Sequence, residues 1–337
     1  MKKVLRLLEC LIFLITPVLI FILMESYEHN PFAEVRQEAI FFNILLFELL
    51  AWILLGIMGN GRRSLRVLSA LAMIFGITNH YVMAFRSTPF VPWDLLSVRT
   101  AASVAGNYDF TPDGRMIVVT LLFAGLIGGL HFLKPMEKGQ YTKRLRIAYG
   151  VLALASVCVL IGFAGRLQDE SFQNRHRLYP FLFTPAYMTK VNGMAVTFTM
   201  NLAYLKVDKP AGYRTEDAEA LLQQYAGEEK EKTDASYPNI IVIMDEAFSD
   251  LAVLGDVNAS EDYMPFVHSL QEGAQNTITG YLNVSVCGGN TADTEYEFLT
   301  GNTMRFLPAG SIPYQQYLKN ETPSLASYLT GLGYASY

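Results

Sequence analysis

Apolar positions are crowded into the first half of the chain, where they form five long stretches separated by short polar segments. The stretches cover residues 5–24, 40–58, 65–85, 116–132 and 145–163. Because an α-helix rises about 1.5 Å per residue, each stretch is long enough, or nearly so, to cross a hydrocarbon core of about 30 Å. The pattern predicts a polytopic α-helical membrane domain over residues 1–165, with about five transmembrane helices.

Basic residues between the stretches predict the orientation of this domain. With the N-terminus in the cytoplasm, the inner segments carry Lys2, Lys3, Arg6, Arg62, Arg63, Arg66, Lys134, Lys138, Lys143, Arg144 and Arg146. The outer segments then carry only Arg36, Arg86, Arg99 and Arg115. Under the positive-inside rule we expect a multi-pass protein of a bacterial cell membrane, with a cytoplasmic N-terminus and everything after about Gly165 outside the cell.

Two features of the stretches need separate explanations. The first stretch follows a basic cluster, as in a signal peptide, but its length and the lack of a small-residue cleavage site favour a retained helix. Glu48, Asn79 and His80 lie inside later stretches. Because polar groups are costly in the hydrocarbon core, we expect these three side chains to contact other helices or to lie near a membrane surface.

Composition and charge exclude several classes of protein. The chain is 51% hydrophobic and its mean hydropathy is +0.24, too apolar for an ordinary soluble protein. A net charge of -5 argues against a nucleic-acid partner, which would require a basic face. The three cysteines are an odd number, and two of them lie in apolar stretches, so they predict no disulfide framework.

Residues 166–236 are predicted to form an extracellular linker. Pro180 and Pro185 interrupt any long helix, and residues 191–204 are typical of an amphipathic helix lying on the membrane surface. A short soluble helix is expected over residues 215–225, capped by Thr215. Residues 227–236 form a charged connector.

From residue 237 onward the pattern alternates between strand and helix. Strands are predicted at residues 240–244 and 277–286 and from 334 onward, and helices at residues 263–272, 292–299 and 324–332. In the helix 263–272, the apolar side chains are expected to point inward. This pattern predicts the start of an α/β domain over residues 237–337.

Candidate chemistry lies at two places in this α/β region. Asp245 and Glu246 follow the first predicted strand, at the sheet edge where ligands bind in open α/β folds. Alternatively, Asp245 or Ser249 caps a helix that starts near Phe248.

The second place is the turn 287–291, Cys-Gly-Gly-Asn-Thr. Its glycines let backbone amides approach a ligand, and Thr291 starts a helix, where the dipole favours a phosphate. Thr291 is therefore a candidate nucleophile, although such a turn is also typical of an ordinary helix cap. Cys287 is expected to line the turn rather than to react.

The segments PNIIVIMDEAFSD and CGGNTADTEYEFLTG, about 45 residues apart, resemble the lipoteichoic acid synthase and phosphoglycerol transferase branch of the sulfatase and alkaline phosphatase superfamily. The resemblance implies an extracellular sulfatase-like domain in which Glu246 and Thr291 bind a divalent metal and Thr291 is the nucleophile. Oxygen-rich ligation suits Mn²⁺ or Mg²⁺ over a softer metal. It also implies phosphatidylglycerol as the donor lipid and a glycerophosphate polymer or glycolipid as the acceptor. Asp293 and Glu295 follow the candidate nucleophile, but acids at a helix start are favourable because of the helix dipole alone, so we assign them no catalytic role.

The sequence also departs from this family. Family members have a further aspartate and histidine ligand well downstream, and no stretch here corresponds to them; His268 is expected to be a surface residue. We therefore expect an N-terminal fragment or a truncated gene product that is inactive by itself.

Two alternatives stay open. One is a membrane-anchored sulfatase or phosphoethanolamine transferase, although the turn lacks the Pro and Arg of a Cys-x-Pro-x-Arg sulfatase site. The other is a non-catalytic membrane protein.

Overall fold

The computed structural model describes residues 2–98, 106, 109–132, 143–180, 184–205, 207, 209, 212–225, 238–245, 248–255, 258–285, 291–307 and 311–337. Contacts divide the chain into two compact units, which we call the first unit (up to Leu205) and the second unit (from Lys206). Within the described residues both units contain helices and short 3-10 turns, and no strand.

Long helices form most of the first unit. In chain order its helices are α1 (Lys2–Glu25), the short α2 (Pro31–Glu34), α3 (Gln37–Met58), α4 (Gly61–Arg86), α5 (Gly114–Phe132), α6 (Lys143–Leu167), α7 (Glu170–Arg175), α8 (Pro185–Asn192) and α9 (Met194–Asn201). In the part of the chain that the structure describes, five of these are long and apolar enough to cross a membrane. The five predicted stretches are therefore confirmed as helices, and they indicate a membrane protein.

The long helices pack around a shared apolar cluster with small residues at the closest approaches. The Tyr27 ring stacks on Phe123 with a centroid separation of 6.1 Å, and its hydroxyl lies 3.0 Å from Thr120 Oγ1. A Cβ on Gly76 would lie 2.4 Å from the Tyr27 ring, so only glycine lets α4 approach this tyrosine. Small residues at helix contacts are typical of packing between membrane helices.

Two of the polar residues inside the stretches have partners at one end of the helices. Asn79 Oδ1 accepts a hydrogen bond from the backbone N–H of Phe90 at 2.9 Å. His80 lies 3.1 Å from a carboxylate oxygen of Glu28 and 3.4 Å from one of Asp113. These partners lie in the segments that follow or precede the helices, so the two side chains lie near helix ends and contact loop residues rather than neighbouring helices.

Residues 185–201 differ from their prediction. The single amphipathic helix expected at residues 191–204 is broken at Gly193 into α8 and α9. Both helices belong to the first unit, and Met188, Met194, Val196 and Met200 are buried in it. The segment therefore packs against the long helices, and its position relative to a lipid surface stays a prediction.

The second unit contains α10 (Thr215–Tyr225), α11 (Pro265–Gln271), α12 (Thr291–Thr300), α13 (Pro313–Gln316) and α14 (Leu325–Gly331). The four helices predicted here are confirmed, with small differences at their ends. Thr215 is the first residue of α10 rather than its cap. The inward face predicted for the helix at 263–272 is wrong at Phe266, which is 73% exposed.

The predicted strands are the largest correction. Residues 240–244 form no strand, and Ile241 and Ile243 are 86% and 83% exposed. The described parts of the other two predicted strands, residues 277–285 and 334–337, are not strands either. A strand requires hydrogen bonds from a neighbouring strand, and none pairs with these runs among the described residues. The sulfatase-like α/β domain is therefore not shown.

Candidate functional site

Thr291, the predicted nucleophile, is the first residue of α12 and is exposed. Asp293, Thr294 and Tyr296 on the same helix are buried. The helix thus packs through one side and leaves the Thr291 hydroxyl accessible at its N-terminal end. A hydroxyl at this end lies close to the positive pole of the helix dipole, where negative charge is stabilised.

Glu297, one turn before the end of α12, connects the helix with the segments on both sides of it. Its Oε1 accepts the backbone N–H of Met304 at 2.6 Å, and Ser285 and Thr303 also donate hydrogen bonds to its carboxylate. Ser285 Oγ lies 3.3 Å from Thr303 Oγ1. Burial by itself raises the pKa of Glu297, but the bonds from Met304, Ser285 and Thr303 outweigh it and lower the pKa.

The bonds of Glu297 help to fix the position of Thr291. Ser285 is the last described residue before the Gly-rich turn, and Met304 follows the helix after Gly301, whose φ of 69° reverses the chain. Glu297 therefore links Ser285, which precedes the turn, to Met304, which follows the helix. The sequence gives no signal for this contact, because its partners lie 12 positions before and 7 positions after Glu297.

The opposite side of α12 contacts α13. The ring of Tyr296 meets Tyr314 edge to face at a centroid separation of 6.0 Å, and the Tyr314 hydroxyl lies 3.4 Å from Glu295 Oε1. Burial, and secondarily Glu295, raises the pKa of Tyr314. A cavity of about 420 Å³ lies at the C-terminal end of α12, and it is lined by Tyr296, Gly301, Asn302, Thr303, Phe306 and Leu307. This cavity does not include Thr291.

The second predicted site residue, Glu246, lies outside the described residues, as does the turn 286–290. Asp245 is exposed, and its carbonyl accepts the backbone N–H of Phe248 at 3.1 Å in a turn. The alternative of a helix capped by Asp245 or Ser249 is not formed. Instead Asp250 caps the 3-10 turn Leu251–Leu254 by accepting the N–H of Ala252 at 2.8 Å.

The metal prediction can be compared only with the described side chains. Among them, no group of three His, Cys, Asp or Glu residues lies close enough to hold a metal ion. Of the two predicted ligands, only Thr291 has a described position, and a single hydroxyl does not make a metal site. Binding of Mn²⁺ or Mg²⁺ at Glu246 and Thr291 stays a prediction, and we assign no chemical step to the ion.

His268 has partners that the sequence did not reveal. Its Nδ1 lies 2.6 Å from Asp262 Oδ1, and its Nε2 lies 3.4 Å from Asp250 Oδ2. Asp250 also accepts the Tyr263 hydroxyl at 2.6 Å; this hydrogen bond is the main reason for its lowered pKa. His268 is thus at the surface but partly covered, and it connects the two acids Asp250 and Asp262 to α11.

A separate group of polar contacts holds α8 and α9 in the first unit. The break at Gly193 frees backbone groups, and two buried side chains from the long helices pair with them. Glu25 Oε1 accepts the N–H of Met194 at 2.7 Å. Asn43 donates to the carbonyl of Asn192 at 2.7 Å and accepts the N–H of Val196 at 3.0 Å.

Gly193 itself has a φ of +80°, and a Cβ there would lie 2.4 Å from Asn43 Nδ2. The position therefore requires glycine both for its backbone conformation and for the space beside Asn43. Sequence reasoning missed this contact because one asparagine or glutamate in an apolar stretch does not indicate its partner.

The chain is similar to a protein of Rhizobium meliloti (strain 1021) described as "Putative cyclic beta-1,2-glucan modification protein". The two are 30% identical over 286 residues, which is 82% of this chain and 43% of the relative. The chain therefore spans less than half the length of this relative, and the likeness extends beyond the first unit into the second. No family model matches the chain, and no solved structure matches it. The chain and this protein are related at the level of a broad family.

Proposed function

We propose that the chain is the membrane-anchoring, nucleophile-bearing part of a bacterial phosphoglycerol transferase of the lipoteichoic acid synthase type. It would transfer glycerophosphate from phosphatidylglycerol to a hydroxyl group of a cell-envelope acceptor. The observation that carries the proposal is Thr291, an exposed hydroxyl at the start of a helix that Glu297 fastens at its other end. The Gly-rich turn before Thr291 and the likeness to a glucan modification protein support the same proposed function.

The proposed reaction has two displacements. The Thr291 oxygen attacks the phosphorus of phosphatidylglycerol, and the bond from phosphorus to the diacylglycerol oxygen breaks. Diacylglycerol leaves with the proton that Thr291 gives up, and glycerophosphate stays bound to the threonine. An acceptor hydroxyl then attacks the same phosphorus, and Thr291 recovers a proton as the product leaves.

Two parts of the chain assist this chemistry in the proposal. Negative charge that develops on the phosphate oxygens lies at the N-terminal end of α12, where the helix dipole stabilises it. Mn²⁺ or Mg²⁺ held by Glu246 and Thr291 would supply further neutralising charge. The long helices keep Thr291 attached to the membrane that contains the donor, which raises the effective concentration of lipid.

Two classes of acceptor are compatible with the proposed reaction. The family resemblance implies a glycerophosphate polymer or glycolipid, whereas the description of the Rhizobium meliloti relative refers to a cyclic beta-1,2-glucan. Both acceptors offer a hydroxyl to the same phospho-threonine. A glucan acceptor is therefore the second candidate, and it changes the product without changing the role of Thr291.

The test uses the full-length gene product in bacterial membranes with phosphatidylglycerol labelled in its headgroup. We expect Thr291→Ala to lower diacylglycerol release to background and to abolish label on the protein. Thr300→Ala is the matched control, because it removes from the same helix a hydroxyl whose partners among the described residues are the Tyr296 carbonyl and the backbone N–H of Asn302. Turnover by the Thr291→Ala protein would contradict the proposal. Label found in soluble glucan or in lipid-linked polymer identifies the acceptor.

A further inference from the structure

A groove lies in the first unit where α3 ends and α4 begins, beside the last turns of α5. It has a volume of about 490 Å³ and is lined by Met58, Arg63, Arg66, Val67, Ala70 and Ile127. Two arginines thus meet four apolar side chains in one depression. Such a combination fits a ligand with an anionic group at one end and a hydrocarbon chain at the other.

The arginines have hydrogen-bonding capacity left for an anion. Arg66 lies 2.7 Å from His131 Nδ1 through NH1, while its Nε is buried and has no hydrogen-bond partner among the described residues. Arg63 is exposed and forms no ion pair with any described residue. By contrast, Arg62 one position earlier is bound to Glu9 at 2.8 Å. A buried N–H donor without an acceptor is costly, and a phosphate oxygen would satisfy it.

Exposed apolar side chains follow the groove along α4. Val67 and Ala70 follow Arg63 at helical spacing, which places Ala70 about 10 Å further along the helix axis. Leu71 and Ile74 beyond them are 55% and 58% exposed. An acyl chain that runs from the arginines along this surface lies where the hydrocarbon layer surrounds the helix.

We propose that this groove binds one anionic phospholipid, with its phosphate between Arg63 and Arg66 and one acyl chain along Val67, Ala70 and Ile127. The groove lies at the end of the helices that the basic residues assign to the cytoplasmic side. The lipid is then an inner-leaflet ligand that stabilises the contact of α3, α4 and α5, separate from the donor proposed for Thr291.

The experiment measures lipid retained by the full chain in detergent, using native mass spectrometry after exchange into phosphatidylglycerol or phosphatidylcholine. The wild-type chain is expected to retain one phosphatidylglycerol in preference to phosphatidylcholine. In the double variant Arg63→Gln and Arg66→Gln, we expect this retention to fall roughly tenfold or more, since each arginine provides charge-assisted hydrogen bonds. Arg62→Gln is the matched control, because it removes one cation outside the groove, and it is expected to retain the lipid.

A second variant tests the apolar part of the groove without changing the charge of the groove. Ala70→Trp fills the apolar part and keeps both arginines, and we expect it to lose the lipid while its helical circular dichroism is unchanged. Equal retention of both lipids by the wild-type chain, or wild-type retention by the double variant, would overturn the proposal. Binding of inorganic phosphate without retention of phosphatidylglycerol would also overturn it. Because none of these measurements requires turnover, they are independent of the function proposed for Thr291.

Discussion

The two units of this chain differ in how much apolar surface they bury, since both large buried apolar clusters among the described residues lie in the first unit. In the first unit, Ile20, Phe21 and Tyr27 are fully covered by neighbouring helices. In the second unit, Ile241 and Tyr281 are each 86% exposed. Membrane helices satisfy their backbone hydrogen bonds internally, whereas strands need partners that come from elsewhere in the chain. Local sequence therefore predicts the long helices of the first unit, whereas it does not show whether a strand-like run in the second unit finds a partner.

Among the substitutions that test this difference, one at Asn43 is expected to have the largest effect on stability. Asn43→Leu removes the partners of the Asn192 carbonyl and the Val196 N–H, which stay buried. An unsatisfied buried backbone group costs about 1–3 kcal/mol, so we expect the free energy of unfolding of the first unit to fall by about 2–6 kcal/mol. Thermal unfolding in detergent and protease cleavage near Gly193 measure this loss.

Asn201→Leu is the matched control for that substitution. Asn201 is also buried, but neither polar atom of its side chain has a hydrogen-bond partner among the described residues. The same chemical change is therefore expected to leave stability unchanged or to raise it slightly. If both variants lose the same stability, then apolar packing rather than the two hydrogen bonds holds α8 and α9 in place.

An intermediate effect is expected in the second unit at Glu297. Glu297→Ala removes the acceptor that binds Met304, Ser285 and Thr303, so we expect faster amide exchange over residues 291–304 and a loss of about 1–3 kcal/mol. In the full-length protein we also expect slower transfer, since Thr291 loses its fixed position.

Glu295→Ala provides the comparison, because this exposed acid contacts only the Tyr314 hydroxyl, at 3.4 Å, among the described residues. It is expected to change amide exchange much less than Glu297→Ala. Equal exchange in both variants would mean that Glu297 does not fasten the helix.

The sequence predicted the features that depend on local periodicity. The five long helices and α12 follow from apolar runs and from the polar start at Thr291, because helical hydrogen bonds and caps lie within a few residues of each other. The position of Thr291 at a helix start was therefore predictable. The pairing of Thr291 with Glu246 stays a prediction, since Glu246 lies outside the described residues.

Contacts between distant residues could not be predicted. The bond between Glu25 and Met194 joins positions 169 residues apart, and nothing in either local pattern indicates the other. The strand predicted at residues 240–244 failed for a related reason. A β-branched run has strand propensity, but a strand forms only when another segment supplies its hydrogen bonds.

The smallest effect is expected from acid, and it concerns the first unit. His29 follows the end of α1, and burial lowers its pKa from 6.5 to about 4, with Lys190 and Arg115 acting in the same direction and Glu34 against them. The folded protein therefore holds His29 neutral, while the unfolded chain binds a proton near pH 6.5. Stability is fully present above that pH and falls as pH decreases toward 4; the shift corresponds to at most about 3 kcal/mol, which solvent screening of this partly exposed group reduces to about 1–2 kcal/mol.

His29→Gln should remove this slope between pH 6.5 and 4 in thermal unfolding of the chain in detergent. His176→Gln, which removes a histidine packed against Phe42 and Phe172 in the same unit, should retain it. Burial raises the pKa of nearby Glu28, and this carboxyl acts in the opposite sense by favouring the folded state as pH falls. The comparison of variants isolates His29 because Glu28 is common to all of them. An unchanged slope in His29→Gln would show that the histidine is charged in the folded protein and that its surroundings are more hydrated than the packing indicates.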